Sequence, residues 1–444
     1  MHRAVLVLLG VLAACGSKLD ITTRPIAQLN AGIVVDWMDL LQTAVVRNEG
    51  LPPTSASRLY AYASIALYEG CIVGDPTYRS LAGQLNGLAA LPAPDPLPSA
   101  ATPYDPAAVA NRACAVVVRG IAPGMYLPTS TTGPFANQAI NSMEQTWNAY
   151  RQNAVPMDVW TRSNAYGDAL GTALLAWANA DNFATVNAAQ NTYVPPIGMG
   201  LWIPTPPQFR RALQPAWGTM RTFVLTTSDE AAAPAPPPFS TDPASPFYAY
   251  AREVFDAVVN GTQEERDIAF FWADDPGLTS TPPGHWVNIV SLLALEDDLP
   301  LNVAAEAYAR VGLAAGDAFI ACWRIKYLHN VLRPITYIQT YLDDQWLPLV
   351  GTPPFPTYAS GHSTVSGTAA TVLTALFGVR SFTDWTHTPR GIPPRFFDSF
   401  EDAAQEAADS RLYAGIHYRF DNEEGLFHGQ RIGQLINERV TFRN

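Results

Sequence analysis

Apolar residues recur three and four positions apart in segment after segment of this chain, and no alternating apolar–polar run of strand length interrupts them. That period is the signature of helices with one buried face. Ile33, Val34, Trp37, Met38, Leu40 and Leu41 mark one such face. Tyr60, Ala63 and Leu67 mark another, behind Ser55-Ala56-Ser57, which reads as its cap. The pattern continues near 107–121, 135–150 and 157–182, with Pro-rich stretches at 91–106 and 192–207. After a third, at 233–246, it resumes near 247–259, 262–272, 285–295, 301–319, 319–331, 363–377, 397–414 and 423–438. The chain reads as all-α, with an N-terminal helical region over 31–232 and a C-terminal helical domain over 247–444. No internal repeat marks a solenoid.

The chain carries 27 Lys and Arg against 39 Asp and Glu, a net charge of −12. A nucleic-acid-binding role is excluded at this level, because phosphate backbones require a basic face. Past residue 14 no apolar run approaches the ~20 residues that span a bilayer. The N-terminus reads as an address. His2 and Arg3 precede an apolar run from Ala4 to Ala14, and Leu12-Ala13-Ala14-Cys15 resembles a lipobox. Residues 1–14 are then a lipoprotein signal peptide and 15–30 a linker. Lipid on Cys15 would be the sole membrane contact of an exported lipoprotein, periplasmic or anchored to the outer membrane. An ordinary secretory signal is the alternative. Of the remaining cysteines, Cys71 and Cys114 are either a disulfide or two buried thiols.

Apart from His2, every histidine lies between His285 and His428, and three short segments there carry catalytic residue types. In the first, Trp323 to Pro334, Lys326 and Arg333 stand seven apart, which puts both on one helix face together with Trp323. Two cations on an apolar helix call for an anion, unless they are solvated or salt-bridged. In the second, Ser360-Gly361-His362 opens a small-residue helix after Phe355 and Ala359. A hydroxyl, a glycine and unpaired N–H groups at a helix start make an anion site, and His362 could do acid–base work there. In the third, Arg411 and His417 are six apart, about 600° on an unbroken helix, so Gly415 is expected to break it and bring both into one pocket. Asp421, four after His417, could accept from one ring nitrogen and leave the other available.

Taken together, Lys326-x6-Arg333-Pro334, Ser360-Gly361-His362 and Ser410-Arg411-x5-His417-x3-Asp421 resemble the tripartite signature uniting vanadium haloperoxidases with type 2 phosphatidic acid phosphatases and bacterial acid phosphatases. The gaps fit: 24 residues separate Pro334 from Ala359, and 47 separate His362 from Ser410. Ala359 replaces the usual proline. Trp272-Ala273-Asp274-Asp275, Trp323, Phe355 and Gly415 to Asp421 resemble the fungal-type vanadium chloroperoxidases over about 247–440.

The resemblance implies a helical bundle with its site in the C-terminal half, orthovanadate as cofactor, and phosphate competing for it. Lys326, Arg333 and Arg411 would offset the oxyanion charge, with Ser360 and Gly361 donating. His417 would bind the metal through a neutral imidazole nitrogen. His362 would take a proton as hydrogen peroxide adds, and Lys326 would polarise the peroxide that halide attacks. Asp275 would pair with Arg411, and Trp323 and Phe355 would line the halide side. The partners implied are hydrogen peroxide, halide and a small organic acceptor. The alternative enzyme is an acid phosphatase working through phospho-His417, with Asp421 orienting it and His362 protonating the leaving group. His329, His387 and His428 take no role in this reading, and His285, after Pro-Pro-Gly, is expected to cap or pack. Without His-Glu-x-x-His or Cys-x-x-Cys, a zinc site has little support.

Overall fold

The computed structural model describes residues 30–48, 51–95, 103–122, 132–190 and 192–444. The signal segment, Cys15 and nearly all of the linker lie outside the described residues. Helices α1 (Gly32–Arg47), α2 (Pro53–Cys71), α3 (Pro106–Ile121), α4 (Thr132–Ala154), α5 (Met157–Asn179) and α6 (Phe183–Ala189) come first. They are followed by α7 (Pro246–Asn260), α8 (Gln263–Phe271), α9 (Thr281–Glu296), α10 (Leu301–His329), α11 (Pro334–Tyr341), α12 (Gly361–Phe377), α13 (Phe400–Tyr413) and α14 (Arg419–Arg439). The fold is all-α.

Local chemistry sets the boundaries. Proline stands in the first turn of α2, α3, α7, α9 and α11, where its missing N–H would have been unpaired anyway. Thr262 and Glu265 close a capping box on α8, and Ser399 caps α13. Three sequence expectations change. Ser55 and Ser57 lie inside α2, because Pro53 starts that helix earlier. The runs 301–319 and 319–331 fuse into one helix of 29 residues, since no proline separates them. Antiparallel strands β1 (Phe382–Asp384) and β2 (Arg395–Phe397) form a small ribbon, each too short to show alternation.

Helix α10 is buried around most of its surface, and one hydrophobic core joins it to helices from both sides of the 233–246 stretch. Its Asp317, fully buried, accepts the backbone N–H groups of Phe223, Val224 and Leu225 at 2.6, 2.8 and 3.0 Å, which straps the segment after α6 to its centre. A second cluster gathers α7, α11 and the aromatic rings of Tyr358, Tyr418 and Phe420. Cys71, Cys114 and Cys322 are buried free thiols, so Cys71 and Cys114 are not bridged.

Helices α12 and α14 approach backbone to backbone. Gly425, Gly429 and Gly433 form a stripe on α14, and a Cβ at Gly425 would lie 2.9 Å from the Ser360 carbonyl oxygen. At Gly429 it would overlap the Thr364 carbonyl. This spacing sets the start of α12 against the start of α14. Overpacking a tight interior costs about 1–3 kcal/mol, so Gly429→Ala should lower unfolding free energy by that amount in urea titration. Unchanged stability would contradict the contact.

Candidate active site

The three segments converge through turns rather than along one helix. Asn330 adopts a left-handed conformation (φ 49°) and ends α10, so Arg333 becomes the N-cap residue of α11. Lys326 and Arg333 therefore do not share a helix face as their spacing suggested; the reversal aims both at one point. Ser360 caps α12, its hydroxyl accepting the Ser363 N–H at 3.4 Å, and Gly361 is the first helical residue. Helix α13 delivers Arg411 and stops at Tyr413. Gly415, at φ 81°, then turns the chain back as expected, a conformation that glycine adopts without steric penalty. His417 follows, and Asp421 lies in the first turn of α14.

Lys326, Arg333 and Arg411 are all fully buried. Lys326 Nζ donates to the carbonyls of Pro356, Thr357 and Ala359 at 3.0, 2.9 and 2.5 Å. All three of its protons are thus engaged by backbone carbonyls, and the ammonium presents its charge to the site. Arg333 donates through Nε to Phe355 O at 2.7 Å, and through Nη1 to Ile416 O at 2.8 Å and His417 Nε2 at 3.1 Å. Arg411 Nη1 donates to Trp272 O and, at 2.9 Å, to His362 Nε2. The expected Asp275–Arg411 ion pair does not form; Asp275 acts on Arg411 through space. Burial pushes the pKa values of all three cations down.

His417 Nδ1 lies 3.0 Å from Asp421 Oδ2 and 3.0 Å from Thr357 Oγ1. With the ring proton on Nδ1, the tautomer these partners favour, Nε2 keeps a lone pair. Asp421 is a hub. Its carboxylate also accepts the Thr357 hydroxyl and, at 2.9 Å, the Tyr418 N–H, and its carbonyl accepts the Ser360 N–H at 2.9 Å. Burial, reinforced by Arg333 and Lys326, holds the His417 pKa well below 6.5, and burial with Arg411 does the same for His362. Both rings are neutral at pH 7.

An open cleft reaches His362, His417 and Gly361 past Trp323, Phe355 and Asp275, with Pro52, Pro53, Pro353 and Pro354 at its wall. Trp323 and Phe355 stack obliquely, ring centres 4.8 Å apart. Sequence reasoning missed Thr357, whose hydroxyl stands 60 residues from His417 with no period to flag it. It also missed a buried cluster in which His285 lies between Asp274 and Asp384, with His387 beside them. His428 faces the Ala231 carbonyl and His329 packs near Tyr358.

Known proteins resemble this chain in sequence and fold. A family sequence profile described as the VCPO second helical-bundle domain matches residues 306–443, which hold all three segments. A vanadium-dependent bromoperoxidase of Ascophyllum nodosum is 32% identical over 34% of this chain and 29% of its own length. A vanadium chloroperoxidase of Curvularia inaequalis is 27% identical over 34% of this chain and 35% of its own. The chain thus spans about a third of the curated relatives it matches. The crystal structure described as that of the first bacterial vanadium-dependent iodoperoxidase superposes with a TM-score of 0.83 and 32% identity, over 95% of this chain and 98% of that one. The chain belongs to the vanadium haloperoxidase family. A bacterial vanadium-dependent chloroperoxidase, 13% identical with a TM-score of 0.63 over 94% of this chain and 98% of its own, shares the haloperoxidase fold.

The neutral histidines have a consequence for stability. An unfolded histidine takes up a proton near pH 6.5, and the folded His362 and His417 rings do not, so unfolding is favoured as pH falls through that value. These two rings therefore lower stability as pH falls from 7 to 5. Glu69, Asp317 and Asp421 contribute in the opposite sense, since their raised pKa values let the folded chain take up protons there. The melting temperature of His362→Gln should fall less, or rise more, than that of wild type over this interval. An unchanged slope in that variant would remove His362 from this account.

Proposed function

We propose that the protein oxidises halide with hydrogen peroxide, with orthovanadate held in the cleft between His417, His362 and the buried cations. One observation carries the reading. Arg333 Nη2 and Arg411 Nε and Nη2 are buried donors without a protein partner, beside a neutral imidazole whose Nε2 is unprotonated. Isolated buried cations cost several kcal/mol each, and a tetrahedral oxyanion is the ligand that would meet both their charge and their open donors. The donor set fits the cofactor.

Orthovanadate, when bound, supplies a Lewis-acidic centre that activates hydrogen peroxide without changing oxidation state. The chain's residues do the rest. Asp421 and Thr357 orient His417 and keep its proton on Nδ1, leaving Nε2 as the metal ligand. Arg333 and Arg411 would hold the oxyanion's oxygens, with Ser360 and the Gly361 N–H at the start of α12 donating as well. Lys326 adds charge and ties the 356–359 backbone into place. His362, neutral and joined to Arg411, is the group that can accept a proton from the incoming peroxide. Trp323 and Phe355 give the halide an apolar wall, which suits a weakly hydrated anion better than a phosphomonoester leaving group. The likeness to a bacterial iodoperoxidase makes iodide the first halide to assay. The Leu12–Cys15 motif supports export and lipid attachment at Cys15, which metabolic labelling with palmitate would detect.

Protein supplied with orthovanadate should oxidise iodide or bromide with peroxide, and millimolar phosphate should compete for the site. His417→Ala should abolish both vanadium retention and activity. Lys326→Ala should lose roughly 10²-fold or more in turnover, the usual effect of deleting one preorganised charge. Rapid aryl phosphate hydrolysis with no halide oxidation at any vanadate loading would move the assignment to an acid phosphatase.

A further inference from the structure

Behind the wall of the cleft lies a titratable cluster that the site described above does not use. His285, on α9, is fully buried. Its Nδ1 stands 2.9 Å from Asp274 Oδ2 and its Nε2 2.7 Å from Asp384 Oδ2, both in line for hydrogen bonds. A ring with a carboxylate on each nitrogen carries both protons. Burial alone would lower its pKa, but the charges of Asp274 and Asp384 override burial and push it up to about 10. The ring also stacks on the Trp272 indole, centres 4.3 Å apart and planes 20° apart, and Glu406 fixes that indole through its N–H at 3.0 Å.

Of the stretch held in this way, Ala273, Asp274 and Asp275 form part of the cleft wall. The stretch also supplies the Trp272 and Ala273 carbonyls that receive Arg411. The second carboxylate oxygen of Asp274, Oδ1, faces only His387 Nε2, at 3.3 Å, and the Asp274 charge acts on both Arg411 and His362. An uncompensated carboxylate there would draw Arg411 off the site and repel an incoming anion. We propose that His285 is a positioning residue of the oxyanion site: its imidazolium, clamped between Asp274 and Asp384, neutralises Asp274 so that Arg411 keeps its charge for the bound oxyanion. This rests on the oxyanion reading above.

A metal ion is the competing use of the cluster, since ligand atoms of Asp274, His285 and His387 all lie within 4.8 Å of one another. The hydrogen bonds on both ring nitrogens of His285 favour the proton. A metal would require one of those nitrogens to be bare.

The test is calorimetric titration of the full chain with orthovanadate and, separately, with inorganic phosphate. His285→Gln removes the positive charge while keeping a polar side chain. It should weaken vanadate binding roughly 10- to 100-fold, the range typical of residues supporting a metal site from outside its ligand shell. Adding Asp274→Asn removes the charge that His285 neutralised and restores the cluster's net charge, so the double variant should recover most of the affinity. A packing role for His285 predicts no such recovery. Should His285→Gln alone not fold, Asp274→Asn and the double variant decide, and each should bind vanadate at least about as tightly as wild type. The idea is overturned by a folded His285→Gln that binds like wild type, by a double variant that stays tenfold weaker, or by a stoichiometric transition metal in the purified protein that leaves on chelation. Wild type that fails to bind vanadate at all would strike the oxyanion reading instead.

Discussion

Three cations buried out of reach of water are the constraint around which this structure is organised. Each such ion costs several kcal/mol to desolvate unless dipoles or anions replace the water. Here the first replacement is backbone carbonyl: Pro356, Thr357 and Ala359 on Lys326, Phe355 and Ile416 on Arg333, Trp272 and Ala273 on Arg411. A helix interior uses its own carbonyls, so the stretches that serve these ions cannot be helical. The irregular runs at 272–280, 351–360 and 414–418 are thus a requirement of the site. The helices around them act as the frame that holds irregular backbone still.

The charge pattern divides the pocket's labour. Burial and nearby cations keep His362 and His417 neutral, whereas a carboxylate on each ring nitrogen keeps the buried His285 protonated. The same side chain takes two opposite states because its nearest charges differ in sign, not because its burial differs. Asp421 links the two later segments: its side chain orients His417 while its carbonyl takes the Ser360 N–H.

Much of this was legible in the sequence. The 3.6-residue period gave the helices, and residue types at fixed spacing gave the three segments and their family. Gly415 announced the turn that returns His417. Other features were not legible. The Lys326–Arg333 spacing implied a common helix face, but Asn330 ends the helix between them, and nothing in the spacing distinguishes a long helix from one that stops. Thr357 and the Asp384–His285 contact join residues 60 and 99 positions from their partners, and long-range hydrogen bonds leave no periodic trace. The family resemblance implied an Asp275–Arg411 pair, whereas the structure gives Arg411 the Trp272 and Ala273 carbonyls.

The glycine stripe of α14 bears on selectivity. Where two helices touch through their backbones, the width of the space at their ends is fixed by main chain, not by side-chain rotamers. Most binding sites relax around a poorly matched ligand by letting side chains swing aside. Between Ser360 and Asp421 there is little to swing: the Ser360 N–H is bonded to the Asp421 carbonyl, and Gly425 already brings the next turn of α14 against Ser360. Widening the space beside Ser360 would mean prising α12 away from α14. The cleft therefore has one wall set by main chain, at the start of α12, and another set by the prolines at 52–53 and 353–354.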